Sequence, residues 1–290
     1  MINSRTEYKA RLDAVIMHMH DHLAGEIDLA ELAKVAGFSP FHFHRLFTSL
    51  TGETPQQYLM RMRLEMAANM LVKYFGYSIT EIAMRCGFSS PSTFARAFKA
   101  HFGMSAKAYR DAVEKPVPAG VKPVSYSKDD LPAIKIETKT VPDWNLAYVS
   151  NLNGYDLTLI CKAWNQLQRW ALSEGLLTEE TRALGISFDD PLITEPKKCR
   201  YYACLTIPEG FVPRPPIGFM KLAGSKCLVA HVSCLSRQIQ TVYMYLYRDW
   251  LVESGFQPDN LPPYEVYLNR PEENPDGRLV MDIYIPIVPL

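Results

Sequence analysis

Two arginines stand at the same point of two matching stretches of this chain. Arg45 lies in PFHFHRLFTSL and Arg96 lies in PSTFARAFKAH. A guanidinium group can pair with guanine through two hydrogen bonds or can bind a phosphate. If each stretch is a helix, its outward face also carries Phe41, His42, His44 and Ser49 in the first, and Ser92, Thr93, Lys99 and Ala100 in the second. Each face is either a solvated helix surface or a nucleic-acid contact.

The sequence around the two arginines is duplicated. Residues 29–59 and 79–110 share ten residue types at a spacing of fifty or fifty-one. In the first copy these are Glu31, Ala33, Gly37, Phe38, Ser39, Phe43, Arg45, Phe47, Gly52 and Tyr58. A short helix, a glycine turn and a second helix fit both copies, which is the pattern of a helix–turn–helix unit. For a single helix the solvated surface would be preferred, but two matching units favour DNA binding.

Capping signals divide the first 113 residues into helices. Asp28 with Glu31, and Ser78 with Glu81, have the spacing of a capping box. A serine or threonine also precedes proline at three points, where a helix can begin. The predicted helices are 5–24, 29–36, 40–50, 55–73, 79–85, 91–102 and 106–113.

The predicted helix 55–73 would be a rigid strut between the two units. It carries Arg61 and Arg63, which we expect to be exposed to solvent, although either could contact a phosphate. In the second helix of the first unit we expect an apolar stripe at helical spacing to be buried. This stripe consists of Phe43, Leu46, Phe47 and Leu50.

Composition limits the class of protein. The 290 residues suffice for about two domains, and no run of eighteen apolar residues indicates a membrane span. Residues 1–115 hold 14 basic and 11 acidic side chains, whereas residues 116–290 hold 17 and 20. The charged start MINSRTEYKARLDAV predicts no signal peptide. The six cysteines lack the spacing of a zinc site, so we expect reduced core thiols, a cytoplasmic protein, and no metal or other cofactor.

The rest of the chain alternates between strand and helix patterns. Residues 114–131 are rich in proline and are interpreted as a linker, which divides the chain into domains 1–113 and 132–290. The predicted strands are 134–141, 145–152, 183–190, 200–208, 226–235, 264–271 and 278–287, and the predicted helices are 156–176 and 238–256.

This second domain also looks duplicated. Trp170 and Gly175 recur eighty residues later as Trp250 and Gly255, and a strand–helix–strand–strand order occurs twice. The pattern predicts an antiparallel sheet with two helices on one face. We expect a concave binding site on the other face, at the junction of the two halves.

The first domain resembles the AraC/XylS-family DNA-binding domain over residues 8–112, most clearly in GFSSPSTFARAFKAHFGMSAKAYR. The resemblance implies that the two recognition helices enter successive major grooves on one face of double-stranded DNA. It assigns contacts to Phe41, His44, Arg45, Ser92, Thr93 and Arg96. The chain departs from the branch of multiple-antibiotic-resistance and right-origin-binding activators at Phe41, His44, Pro91 and Ser92. A target site is therefore not transferred from that branch.

The second domain resembles the GyrI-like (gyrase-inhibitor-like) effector-binding domain over residues 132–290, through LPPYEVYLN and MDIYIPI. The resemblance implies that Glu265 lies in a pocket for cationic or polar ligands; the alternative is an exposed glutamate paired with a lysine. A carboxylate among aromatic rings attracts an organic cation. The predicted ligand contacts are Glu265, Tyr267, Tyr148 and Trp164. Further candidates, each of which could instead be a core residue, are Trp144, Trp170, Trp250, Tyr201 and Tyr284.

These observations predict a multi-domain α + α/β protein, with an all-α double helix–turn–helix domain and then an α+β domain. We expect a transcription regulator, most often an activator, whose partners are double-stranded DNA, a small-molecule effector and, as a further candidate, RNA polymerase. We expect DNA binding as a monomer, and we expect no enzyme activity and no catalytic residues. Two alternatives stay open: a GyrI-like hydrolase with Glu265 as general base, and a second domain that only binds another protein.

Overall fold

The chain divides into two compact units, residues 1–123 and 124–290. The computed structural model describes residues 4–73, 76–114, 127–259, 261–269 and 274–290. Most of the predicted linker, residues 115–126, lies outside the described residues, so the predicted domain boundaries stay a prediction. Within the described ranges, no helix is long and apolar enough to cross a membrane.

Seven helices make up the described part of the first unit. They are α1 (Ser4–Asp21), α2 (Leu29–Ala36), α3 (Pro40–Thr51), α4 (Pro55–Lys73), α5 (Ile79–Arg85), α6 (Pro91–Phe102) and α7 (Ala106–Glu114). The predicted helices are confirmed, with ends that differ by at most three residues. The largest difference is at α1, which ends at Asp21 where residue 24 was predicted.

Local hydrogen bonds begin the helices where the sequence indicates. Ser78 and Glu81 form a complete capping box at α5, and Ser39 and Ser90 accept backbone N–H bonds at the starts of α3 and α6. Gly37 has a φ of 69°, which lets the chain turn sharply from α2 into α3.

The second helix of each helix–turn–helix unit buries one pair of phenylalanines. Phe43 and Phe47 in α3, and Phe94 and Phe98 in α6, are at most 2% exposed. The prediction that Leu50 is buried is wrong, because this residue is 48% exposed. Leu50 lies in the last turn of α3, just before the chain leaves the helix.

The second unit combines nine described strands with helices. The strands are β1 (Ile134–Val141), β2 (Trp144–Asn151), β3 (Ala183–Ser187), β4 (Tyr201–Thr206), β5 (Gly218–Leu222), β6 (Ser225–Cys234), β7 (Phe256–Pro258), β8 (Tyr264–Tyr267) and β9 (Leu279–Pro289). The helices are α8 (Leu157–Ser173), α9 (Ile239–Tyr245) and α10 (Leu251–Glu253). A π-helical turn, Leu246–Trp250, joins α9 to α10. Strands β5 and β7 were not predicted.

The strands form an antiparallel sheet in the order β1-β6-β9-β8-β3-β4-β2-β5, with β7 paired to β9. Each pairing between neighbouring described strands is antiparallel. The order is symmetric about the β8–β3 junction, as the predicted duplication requires. The first strand of each half is exchanged: β1 precedes β2 but pairs with β6, and β5 precedes β6 but pairs with β2.

One row of paired residues runs across seven strands and places Glu265 near the centre of the sheet. From one side to the other the row is Ile136, Ala230, Ile283, Glu265, Gly185, Ala203 and Val149. Residues paired across neighbouring strands point to the same face. Helix α9 packs on one half of this row and α8 packs on the other half. Glu265 therefore lies on the face that the helices cover.

The cysteines differ in part from the prediction. All six are free thiols. Five are buried, but Cys161 is exposed, so it is not a core thiol. The reason is its place on α8: the buried side of this helix is formed by Ala163, Leu167 and Ala171.

Candidate DNA-binding and ligand-binding sites

The arginines of α3 and α6 are exposed and uncommitted. Arg45 and Arg96 occupy the same turn of the two helices, which both begin at a capped proline. Among the described residues, the side chain of neither arginine makes a hydrogen bond or an ion pair. The guanidinium of Arg45 lies 5.7 Å from the ring centroid of Phe41, which is itself 67% exposed. Both arginines can therefore reach an external partner.

The other predicted DNA contacts lie on the same helices, all near the helix starts except Lys99, which lies in the last turn of α6. His42, Ser92 and Lys99 are exposed, whereas His44 and Thr93 are half-buried. Several of the polar groups bond to the capping serines. The His42 ring nitrogen lies 3.1 Å from the Ser39 hydroxyl, and the Ser92 and Thr93 hydroxyls lie 3.0 Å and 2.9 Å from that of Ser90. The role of these residues at DNA stays a prediction.

The prediction that Arg61 and Arg63 are solvent-exposed is wrong. The side chain of Arg61 is 7% exposed, and it bonds to Glu53 at 2.8 Å and to Glu65 at 3.1 Å. Arg63 is half-buried and donates to the carbonyl oxygens of Leu23 and Gly25. Carboxylates and helix-end carbonyls inside the unit bind both guanidinium groups, so these arginines hold the unit together.

In the second unit, Glu265 is a buried carboxylate held by two tyrosines. It is 3% exposed. Tyr243, on α9, donates to Oε1 at 2.8 Å, and Tyr267, on β8, donates to Oε2 at 3.3 Å. No lysine, arginine or histidine among the described residues forms an ion pair with it. The alternative of an exposed glutamate paired with a lysine is therefore wrong.

A chain of hydrogen bonds leads to this carboxylate from α8. Trp164 Nε1 lies 3.0 Å from the Tyr201 hydroxyl, which lies 3.3 Å from the Tyr267 hydroxyl. An indole N–H can only donate. Tyr201 is therefore free to donate onward to Tyr267, and Tyr267 donates to Glu265. Every hydroxyl proton in the chain is used, and Glu265 can accept both of its bonds as an anion.

Burial decides the charge state of the Glu265 cluster, which consists of Glu265, Tyr243, Tyr267, Tyr201, Trp164 and Gly185. Removing Glu265 from water raises its pKa to about 7, although the hydrogen bonds from Tyr243 and Tyr267 act to lower it. Burial also raises the pKa of both tyrosines, which keeps them protonated as donors. At neutral pH the carboxylate is therefore close to its titration point, and a bound cation would favour the charged form.

Two residues of this cluster were missed in the sequence. One is Tyr243, for which the helix pattern of 238–256 gave no distinguishing signal. The other is Gly185, which lies opposite Glu265 in the sheet. A Cβ at this position would come within 2.5 Å of the Tyr201 hydroxyl and 2.9 Å of Glu265 Oε2. A glycine inside a strand often marks such a close approach, and that signal was available.

Tyr148 lies on the opposite face of the sheet from Glu265. Its neighbours Ala147 and Val149 pack against α8, so the Tyr148 ring points away from α8 and contacts Tyr202 at 5.0 Å. The structure thus brings together three of the four predicted ligand contacts, Glu265, Tyr267 and Trp164, and separates Tyr148 from them. Glu265 faces the helices and does not lie on the open side of the sheet, where the site was expected.

The remaining aromatic candidates divide in the same way. Tyr201 belongs to the Glu265 cluster. Trp170 and Trp250 pack on the two hydrophobic cores under the helices. Trp144 and Tyr284 both contact Tyr264, at 5.8 Å and 4.9 Å between ring centroids, on the face opposite Glu265.

Comparison with known families gives two matches. Residues 134–288, more than half of the chain, match the GyrI-like small molecule binding domain. Residues 32–112 match a helix-turn-helix domain.

The chain is similar to the probable transcriptional regulator LumQ of Photobacterium leiognathi. The two are 37% identical over 102 residues, which is 34% of this chain and 41% of LumQ. The chain is also 38% identical over 105 residues to the HTH-type transcriptional activator RhaS of Klebsiella pneumoniae (36% of this chain and 37% of RhaS). These matches span about two fifths of each relative.

The chain is also similar to solved structures of other proteins. A transcriptional regulator of the AraC type from Chromobacterium violaceum is 25% identical, with a TM-score of 0.36, and the match covers 39% of this chain and 99% of that one. EcmrR in a complex with DNA is 14% identical, with a TM-score of 0.47 and coverage of 90% and 99%. The two family matches confirm both resemblances: the chain belongs to the GyrI-like small molecule binding domain family, and an AraC-type helix–turn–helix domain precedes that domain.

Proposed function

We propose that this chain is a transcription regulator that acts as an activator. It binds DNA through α3 and α6, and it binds an organic cation through Glu265. The DNA-binding half rests on the two exposed arginines, Arg45 and Arg96, at equivalent positions of duplicated helices. Two such helices in one chain can occupy two successive segments of the major groove without a second subunit. The other predicted contacts would complete this surface.

The ligand-binding half rests on the buried charge of Glu265. A carboxylate that is 3% exposed and lacks a cationic partner among the described residues attracts a positive group. Aromatic rings surround it, and the Trp164 ring lies 5.7 Å from that of Tyr267. A cation with an apolar surface would gain from the charge and from the rings. Tyr148, on the other face, would not take part.

The two activities would be linked through conformational equilibria. An effector can shift the regulator only by binding one of its states more tightly than another. The effector would thereby change the fraction of the protein that binds DNA or contacts RNA polymerase. We propose that the protein acts at DNA in the cytoplasm.

Sequence selection tests the DNA-binding half. The full-length chain is used to enrich bound molecules from a pool of random DNA duplexes. We expect two short sequence blocks about one helical turn apart. A variant with both Arg45→Ala and Arg96→Ala should enrich neither block, while Arg169→Ala, which removes an exposed charge from α8, should behave as wild type. Failure of the wild-type chain to enrich any sequence would contradict this half.

Calorimetry with defined cations tests the ligand-binding half. The probes are tetramethylammonium, choline and benzyltrimethylammonium, with 3,3-dimethylbutan-1-ol as the uncharged isostere of choline. We expect cations to bind and the isostere not to bind, and we expect Glu265→Gln to abolish binding. Glu180→Gln, in an exposed turn, is the matched control. Because a cation requires the charged carboxylate, affinity should rise with pH up to about 7. Equal binding by Glu265→Gln would contradict the proposal.

A hydrolase is the second candidate, because a carboxylate with a pKa of about 7 also suits a general base. The two tyrosine hydroxyls that donate to its oxygens count against it, since these bonds stabilise the carboxylate and act to lower its pKa. We therefore expect the full-length chain to bind a ligand without turnover. Hydrolysis of a strained cyclic ester by wild type, and its loss in Glu265→Gln, would favour the enzyme instead.

A further inference from the structure

Arg63, on α4, contacts the end of α1. Its Nε lies 2.9 Å from the carbonyl oxygen of Leu23, and its terminal nitrogen lies 2.5 Å from that of Gly25. These carbonyls follow the last residue of α1, where backbone oxygens have no partner within the helix. No carboxylate among the described residues pairs with this guanidinium. Arg63 therefore binds the segment that connects α1 to the first helix–turn–helix copy.

The turn of the second copy meets the same point. Gly87 lies between α5 and α6 and has a φ of 78°. A Cβ on Gly87 would lie 2.7 Å from the Leu23 carbonyl oxygen and 3.0 Å from the Arg63 guanidinium. Only a glycine permits this approach. The end of α1, the strut α4 and the second turn thus converge on one arginine.

The first copy has an equivalent arginine on the helix that precedes it. Arg11, on α1, lies 3.4 Å and 3.5 Å from the carbonyl oxygens of Ala36 and Gly37, at the turn between α2 and α3. It also forms an ion pair with Glu7 on its own helix. Each turn therefore has an arginine from the helix that precedes its copy. Arg11 contacts only the turn of the first copy, whereas Arg63 lies where the segment after α1 meets the turn of the second copy.

Helix α1 is firmly attached to the first copy. His18, on α1, lies 2.7 Å from the Glu31 carboxylate on α2, and Val15, Ile16 and Met19 of α1 are fully buried. Whatever holds the end of α1 against the second turn therefore also fixes α3 relative to α6.

We propose that Arg63 is a positioning residue that sets the distance between α3 and α6, and thereby the spacing of the two DNA blocks that the chain accepts. This inference rests on the proposed DNA binding. Without Arg63 the two copies keep their own cores but lose the shared contact. Each recognition helix then still binds its block, while the tolerance for altered spacing increases.

The first test measures spacing preference with the full-length chain. The DNA duplexes carry the two selected blocks at the selected spacing, at spacings changed by one or two base pairs, or one block alone. In wild type, affinity should fall steeply when the spacing changes. In Arg63→Ala the ratio of affinity at the selected spacing to affinity at an altered spacing should fall about tenfold, while the affinity for one block alone stays unchanged. In Arg63→Lys this ratio should lie between those of wild type and Arg63→Ala. Arg11→Ala should keep the wild-type preference. An unchanged preference in Arg63→Ala would overturn the proposal.

The second test needs no DNA. Spin labels are placed on α3 and α6 through Ser49→Cys and Ala100→Cys, both at exposed positions, in a Cys161→Ser background that removes the exposed native thiol. The distance distribution between the labels should broaden in Arg63→Ala and stay narrow in Arg11→Ala. Equal widths in wild type and Arg63→Ala would overturn the proposal. A broadened distribution, together with no selected DNA site for wild type, would refute the proposed DNA binding and leave the coupling by Arg63 intact.

Discussion

At the scale of single residues, Glu265 shows a competition between burial and hydrogen bonding. Two tyrosine hydroxyls stabilise its charged form, but removal from water disfavours that form more strongly, so its pKa rises to about 7. A bound cation would supply the missing compensation. Cation binding and ionisation of Glu265 would therefore favour each other.

The raised pKa has a measurable effect on stability. Between pH 4.5 and about 7 the folded protein holds the Glu265 proton more tightly than the unfolded chain does. The free energy of unfolding should therefore fall as pH rises through this window, by about 3 kcal/mol in total. Glu265→Gln lacks the titration, so its stability relative to wild type should increase with pH.

Urea unfolding followed by tryptophan fluorescence measures this difference, because all four tryptophans lie between residues 132 and 290. A difference between variant and wild type that stays constant from pH 4.5 to 8 would show that Glu265 titrates as an ordinary carboxyl.

Gly185 leaves the space that the hydroxyls of Tyr201 and Tyr267 occupy. In Gly185→Ala the new Cβ would meet the Tyr201 and Tyr267 hydroxyls at 2.5 Å and 2.7 Å. These are side-chain ends, so they would move apart, and we expect a destabilisation of about 1–3 kcal/mol. Tyr267→Phe removes one of the two hydroxyls. The double variant should therefore be less destabilised than the sum of the single variants; additive costs in urea unfolding would contradict the packing described.

At the scale of elements, α4 acts as a strut because its charges are directed inward. Arg61 bonds to Glu65 on the same helix and to Glu53 in the segment after α3. The side chains of Arg61 and Glu65 are 7% and 6% exposed. This network ties the strut to the first copy, while Arg63 binds the segment after α1, beside the turn of the second copy.

Removing one partner of a buried ion pair leaves an uncompensated charge. Arg61→Ala should therefore reduce the free energy of unfolding of the helical unit by about 3–5 kcal/mol. Unfolding followed by circular dichroism at the helix band measures it. Arg96→Ala, at an exposed position of α6, should change the stability by less than about 0.5 kcal/mol. Similar effects of both substitutions would contradict a structural role for Arg61.

Elements with local signals were predictable, and elements held by distant contacts were not. Helices α3 and α6 begin at a serine–proline pair that caps the helix through bonds only three residues apart. Strands β5 and β7 have five and three residues and form by pairing with β2 and β9. Nothing within such short segments distinguishes them from loops.

Contacts between residues far apart in the sequence also explain why most of the ligand site could not be predicted. Glu265 was identifiable from its motif, but its neighbours were not. Gly185 precedes it by eighty residues and becomes its neighbour only through the pairing of β3 with β8. The face on which Glu265 lies depends on strand register, since a shift by one residue exchanges the two faces. That register also places Tyr148 on the other side.

At the scale of the whole molecule, the chain combines two duplicated units with different chemistry. The helical unit exposes arginines, and the sheet unit buries a carboxylate among tyrosines. In both, duplication yields two similar halves that differ at one decisive residue. Arg63 connects two copies where Arg11 serves one, and Glu265 is paired across the centre of the sheet with a glycine.

The central claim is that α3 and α6 each read one segment of the same DNA duplex. Sequence selection with the full-length chain, repeated with Arg45→Ala and with Arg96→Ala separately, tests it most directly. The account predicts that wild type selects two blocks about one helical turn apart, and that each variant loses a different block. If both variants keep both blocks, or both lose the same block, the two-helix account is contradicted.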